Sequence, residues 1–216
     1  VPHLSVAHNV LAGRLGRWGM LRSLWSLLSP QDLGLAENAL EREETWTVRR
    51  PYESLVTGMR DGIAVAGTHG ETTTSAMVSQ VLTEAGWDPT VAVGGMMLPA
   101  GINGRYGTGQ YLVAETDESD GSFLRLSPHT AIVTNIDREH LNHYRSFERL
   151  IAAFEQFVGQ LSSAGTLIRC QDDPLVRRTL THRSMLTYGL RAGADVTAEQ
   201  MLLTGHGSRF RALYRG

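Results

Sequence analysis

Two hydrophobic rhythms divide the chain. Leu11, Leu15, Trp18, Leu21, Trp25 and Leu28 recur at three- and four-residue steps, a spacing that predicts one amphipathic helix. Arg14, Arg17 and Arg22 are its only formal charges, and the first acid is Asp32. Such a basic stripe either packs on its own protein or a partner, or lies on a membrane surface. It has no continuous apolar segment with a small-residue cleavage site, so it does not read as a secretory signal. "LEREETWTVRRPYE", Leu40–Glu53, is charged and reads as a linker to the remainder of the chain.

From Gly62 the apolar residues come in short runs instead. "IAVAG", "TVAVGG", "YLVAET", "TAIVTNI" and "GTLIRC" read as buried strands. Helices are expected at Thr72 to Ala85 and along "SFERLIAAFEQFVGQL". In the latter Phe147, Leu150, Ile151, Phe154, Phe157 and Val158 form a helical stripe. "DPLVRRTL" is a short helix with Pro174 in its first turn. "SMLTYG", "ADVTAEQMLL" and "SRFRALY" read as short strands. The βα alternation predicts an α/β fold, a mostly parallel sheet with helices on both faces.

Composition narrows the function classes. With 42% hydrophobic and 19% charged residues in 216, the chain can bury a core. A formal net charge of −2 gives no general attraction for nucleic acid. The single cysteine, Cys170, excludes an internal disulfide and fits a reducing compartment. No apolar run is long enough to span a membrane. All 20 basic Lys and Arg residues are Arg, so no lysine is available for any site.

Three segments carry chemistry. Gly67, Thr68, His69 and Gly70 follow a strand and precede a helix, where outward N–H groups and the helix N-terminus favour phosphate. The general pattern G-x-x-x-x-G-K-[ST] is half met. Gly70 and Thr72 fit, but Val65 and Glu71 stand where Gly and Lys belong. On that pattern alone, a glycine-rich turn without a ligand is an equal reading. "VAETDESDGSF" groups Glu115, Asp117, Glu118 and Asp120 at a strand end, where carboxylates suit Mg²⁺. "VTNIDREHLNHY" leaves another strand and exposes Asn135, Asp137, Glu139, His140 and His143.

At these segments the chain resembles the Mur ligases, and most of all their alanine-adding members. Gly67 to Thr74 matches the family's G-T-H-G-K-T-T-T except at Glu71. Ala114 to Leu124 matches A-E-A-D-E-S-D-x-S-F-L with Thr116 for Ala. Thr134 to Tyr144 matches T-N-I-x-x-[DE]-H-[LM]-D-x-Y with Asn142 for Asp. The resemblance runs from about Val48 to about Thr204 and includes "CQDDP" and "LTYGL".

The resemblance implies a cytoplasmic ATP- and Mg²⁺-dependent ligase of peptidoglycan precursor synthesis. It would join L-alanine to UDP-N-acetylmuramate through an acyl phosphate. Carried over, Gly67, Thr68, His69, Gly70, Glu71, Thr72 and Thr73 would cradle the ATP phosphates. Thr72, Glu115 and His140 would hold metal, with Glu115, His140 and Asn135 as catalytic residues. Asp117, Ser119 and Asp120 would face the sugar nucleotide. Residues 48–216 would be the central ATP-binding domain, incomplete at its C-terminal end. Residues 1–47 would be a helical leader, a remnant of or replacement for the UDP-binding domain. Glu71 removes a cation beside the phosphates, and Asn142 removes a carboxylate near His140. The competing expectation is therefore a non-catalytic Mur-like domain that binds a partner or sugar nucleotide without turnover.

Overall fold

Parallel pairing dominates the sheet because its central strands are joined by crossovers. The computed structural model describes residues 61–97, 102–205 and 207–215, all within the unit Glu53–Gly216. The expected Leu11–Leu28 helix, the leader 1–47 and the linker lie outside the described residues. The strands are β1 (Asp61–Ala66), β2 (Thr90–Met97), β3 (Ile102–Arg105), β4 (Tyr111–Glu115), β5 (Thr130–Val133), β6 (Thr166–Cys170), β7 (Met185–Tyr188), β8 (Val196–Thr204) and β9 (Gly207–Tyr214). They form one sheet in the order β3-β2-β4-β1-β5-β6-β7-β8-β9. All neighbours are parallel except the β2–β3 and β8–β9 pairs at the two edges.

The helices are α1 (Glu71–Glu84), α2 (Leu141–Tyr144), α3 (Phe147–Gly159) and α4 (Pro174–Thr179). β1 passes through α1 to β2 on one side, while β5 passes through α3 to β6 on the other. Right-handed crossovers in opposite directions put α1 and α3 on opposite faces. Strand alternation gives the same layering for α4. Ile168 faces the α1 side, so Arg169 faces away, where its guanidinium donates to the carbonyls of Val176, Arg177 and Leu180 at 3.3, 2.7 and 2.5 Å. The Val176 carbonyl also accepts from the Leu180 amide, while those of Arg177 and Leu180 lie at the C-terminal end of α4, where carbonyls lack partners within the helix.

The core follows the apolar pattern. Ala64, Val65, Leu112, Val113, Ala131 and Val133 are buried in the central strands. α3 buries Leu150, Ala153, Phe154, Phe157 and Val158. Its first turn is capped by Ser146, whose hydroxyl accepts from the Arg149 amide at 3.3 Å. Phe123 lies in a 3₁₀ turn, Ser122–Arg125, and packs on Phe154 and Phe157 with ring centroids 5.3 and 5.2 Å away. This aromatic cluster pins the acidic loop that follows β4 onto α3.

The departures from the sequence expectation are local. β3 and α2 are short elements in stretches for which the sequence pattern predicts none. β8 and β9 form a long antiparallel hairpin of 9 and 8 residues rather than short strands.

Candidate functional site

Parallel register brings the three segments to one edge. Val65 pairs with Glu115 on one side and with Ile132 on the other, and Ala66 pairs with Val133. The loops after β1, β4 and β5 therefore leave the sheet side by side. Sheet order reverses here, the place where open α/β sheets form their binding crevice.

The loop after β1 is locked to the loop after β5. The Thr68 amide donates to the Asn135 carbonyl at 3.1 Å, and the Asp137 amide donates to the Thr68 hydroxyl at 3.0 Å. The His69 amide donates to Asn135 Oδ1 at 2.9 Å, while Asn135 Nδ2 and the Thr134 hydroxyl donate to the His69 carbonyl at 2.7 and 2.9 Å. Gly67 has φ +152°, and a Cβ there would run into the Thr134 hydroxyl. Gly70, at φ 90°, opens α1 without a side-chain cap, so the first amides of the helix face the crevice.

Glu115 ends β4 and is held from two directions. Its Oε1 accepts from the Thr72 hydroxyl and its Oε2 from the Gly94 amide, each at 2.5 Å. The neighbouring Gly95 lets β2 come this close, since a Cβ there would stand 2.6 Å from Thr72 Cγ2. Glu118 is buried in the same loop and pairs with His140 Nε2 at 3.1 Å. The Tyr144 hydroxyl donates to the Glu118 carbonyl. His140 sits at positive φ, 54°, at the start of α2, an unusual backbone for a residue with a Cβ.

Thr68, Glu71, Gly94, Glu115, Thr116, Asp117, Glu118 and His140 line one cleft of about 340 Å³. Of the residues singled out from the sequence, Thr68, Glu71, Thr72, Glu115, Asp117 and His140 thus meet at this cleft or on its Glu115 wall. Thr73 is exposed along α1. Ser119 and Asp120 turn away into the loop itself. The Ser119 amide donates to Asp117 at 2.8 Å, and Asp120 accepts from the Ser122 amide at 2.8 Å. The Ser122 hydroxyl, and after it that backbone bond, hold the Asp120 carboxyl below its usual range. Asn135 spends its side-chain amide on the His69 backbone. Sequence reasoning missed the pairing role of Glu118 and the Gly94 donor. The "GG" at the end of "TVAVGG" was the available signal for the close approach.

Charge in the cleft is one-sided. Burial lifts the Glu71 carboxyl to about 7, offset by its own backbone amide and raised further by Glu118 and Glu115. Its Oε1 is buried without a hydrogen-bond partner. Burial also raises the Glu118 carboxyl, against the opposing pull of its backbone amide and of His140. No Lys or Arg is among the lining residues. The oxygens of Thr72 and Glu115 are hard donors that suit Mg²⁺. Among the described residues no three His, Cys, Asp or Glu side chains converge on a metal position, so a metal there must take further ligands from what it binds with. A nucleotide polyphosphate does not fit the loop as built. Where its counter-charge belongs stands a carboxylate with an orphaned oxygen.

Comparisons with known proteins agree with this fold. Residues 65–215 match the family model described as Mur ligase middle domain. Over 149 residues the chain is 50% identical to the UDP-N-acetylmuramate--L-alanine ligase of Xylella fastidiosa strain M23, which covers 68% of this chain and 31% of that protein. The UDP-N-acetylmuramate-alanine ligase structure from Thermotoga maritima is 30% identical with TM-score 0.64, over 76% of this chain and 37% of that one. The UDP-N-acetylmuramate:L-alanyl-gamma-D-glutamyl-meso-diaminopimelate ligase from Neisseria meningitides shares the fold, at 22% identity and TM-score 0.66, over 78% of this chain and 56% of that one. The chain spans 31% of the length of the curated relative it matches. No helix among the described residues is long and apolar enough to cross a membrane.

Proposed function

The chain belongs to the Mur ligase family, its residues 65–215 corresponding to the middle domain, and from this we propose that its cleft descends from the site that joins L-alanine to UDP-N-acetylmuramate. In this reading residues 48–216 are the central domain of a cytoplasmic, ATP-dependent ligase of peptidoglycan precursor synthesis, and 1–47 are a leader. The observation that carries it is the convergence of Thr72 at the start of α1, Glu115 at the end of β4 and His140 at the start of α2 at one sheet edge.

The roles follow from what each side chain is tied to. Thr72 and Glu115 form a hard-oxygen pair that would hold Mg²⁺, and a bound Mg²⁺ would supply positive charge beside phosphate oxygens. The Gly94 amide and the Thr72 hydroxyl fix the Glu115 carboxylate, so its orientation does not depend on a bound ligand. His140 is turned by buried Glu118 and would face the same reacting region. Gly67, Thr68, His69, Gly70, Glu71, Thr72 and Thr73 form the loop and helix start that would meet phosphate. Asn135 positions that loop. Asp117, with Ser119 and Asp120 behind it, would border the sugar-nucleotide substrate.

The test is a segment exchange. Residues 61–215 carrying Glu71→Lys replace the matching segment of the Xylella ligase, and formation of UDP-N-acetylmuramoyl-L-alanine is measured. The chimera should make product, and a further His140→Ala or Glu115→Gln should lower the rate about a hundredfold or more. A folded chimera without product overturns this reading. A second reading, a Mur-like domain that binds without turnover, is favoured by one observation: the Glu71 carboxyl inside the loop, one oxygen of which is buried without a hydrogen-bond partner.

A further inference from the structure

We propose that residue 71 alone decides whether this loop holds a nucleotide polyphosphate, and that with Glu71 the chain excludes it. The inference rests on the loop being a Mur-type phosphate loop. It goes beyond that reading by assigning the exclusion to one side chain.

The rest of the loop is intact. Its turn is fixed by Asn135 and Thr134, its glycines hold the conformations a phosphate-facing turn needs, and the first α1 amides point outward. None of these bonds involves Glu71. What fails is charge. An incoming polyphosphate would meet the carboxylates of Glu71, Glu115 and Glu118 in one cleft. Whether Glu71 carries its proton or not, it brings no positive charge.

Among the described residues no Lys or Arg lines the cleft to compensate. The sequence has no lysine. Arg138 lies over the Phe147 ring, 4.7 Å from its centroid, and Arg105 is paired with Asp88 at 3.0 Å. Among the described residues His140 is the one lining side chain that can become cationic, and it is engaged by Glu118. Glu71 Oε1 has no hydrogen-bond partner to lose, and the carboxyl otherwise accepts from its own backbone amide, a bond that the side-chain amide oxygen of Glu71→Gln can keep.

The experiment is calorimetric titration of the full 216-residue chain with Mg²⁺-ATP and Mg²⁺-ADP, for the native protein, Glu71→Gln and Glu71→Lys. Circular dichroism confirms that each variant is folded. The native chain should show no saturable binding at millimolar nucleotide. Glu71→Lys should bind at least about tenfold more tightly than native, with Glu71→Gln between them. If Glu71→Lys does not fold, the near-isosteric Glu71→Gln still decides, because removing the carboxylate should improve binding. Native binding equal to that of the folded variants overturns the proposal. So does a folded Glu71→Lys that fails to bind. The segment exchange separates this from the broader reading. A Glu71 chimera as active as the Glu71→Lys chimera sinks the exclusion and leaves the ligase reading standing, whereas an inactive, folded Glu71→Lys chimera sinks the ligase reading.

Discussion

Glu71 sits where two physical effects oppose each other. As the first residue of α1 its carboxylate faces the positive end of the helix, a position worth about 0.3–1 kcal/mol to an anion. Burial in a cleft with two other carboxylates acts the other way and wins, since the carboxyl is pushed up to about 7 from 4.5. A raised carboxyl gives stability that is complete below about pH 4.5 and is lost as pH rises toward 7. Glu71→Gln should therefore match the native Tm at pH 4.5 and exceed it at pH 8. After allowance for solvent screening the gain is on the order of 1 kcal/mol, or about 2–4 °C. Thermal melts at the two pH values check this, and an unchanged difference would contradict the burial account. At this scale much of the site was legible, because Gly67, Thr72, Glu115 and His140 stand in motifs with fixed chemistry. Glu118 was legible only as one acid among four. Its burial depends on Phe123 docking the loop to α3, which a run of polar letters does not announce.

Elements with a strong apolar period were readable, and those held by tertiary bonds were not. α3 carries both a cap and a buried stripe in its own sequence. α2 is four residues long, too short for intrinsic helicity, and exists because the Tyr144 hydroxyl is tied to the Glu118 carbonyl. β3 is a glycine-bearing edge strand whose pairing with β2 has no local signal. Arg169 looked like one polar position in a buried strand, yet it satisfies the carbonyl end of α4. The junction between β1 and α1 gives the sharpest test at this scale. Gly67→Ala combines a positive-φ backbone with a collision at the Thr134 hydroxyl, so it should destabilise by at least about 2 kcal/mol in urea unfolding. A change within about 0.5 kcal/mol would mean that the two loops are not packed as described.

Over the whole sheet the two faces of its far half differ. On the α1 side, Val78, Ile132, Ile168, Leu186 and Val196 line an apolar groove of about 470 Å³, and Met77 and Val81 beside it are 64% and 66% exposed. Mostly parallel sheets generally bury both faces. That made the architecture readable from alternation but hid this open stretch, because periodicity says which residues are apolar and not what covers them. Val81→Glu should change stability by no more than about 0.5 kcal/mol while lowering binding of a hydrophobic dye to the chain. A large loss of stability would show that Val81 is more buried than described.

The latch between His69 and Asn135 separates two properties that a phosphate loop usually holds together. Its contour is written by backbone groups and by side chains 65 and 66 positions away, whereas its polarity is written by residue 71. Substitution at 71 can therefore silence or reverse the loop's ligand preference while the turn keeps its shape. A lineage can carry such a loop through loss of its original task with the mould undamaged, one codon from the charge it lacks.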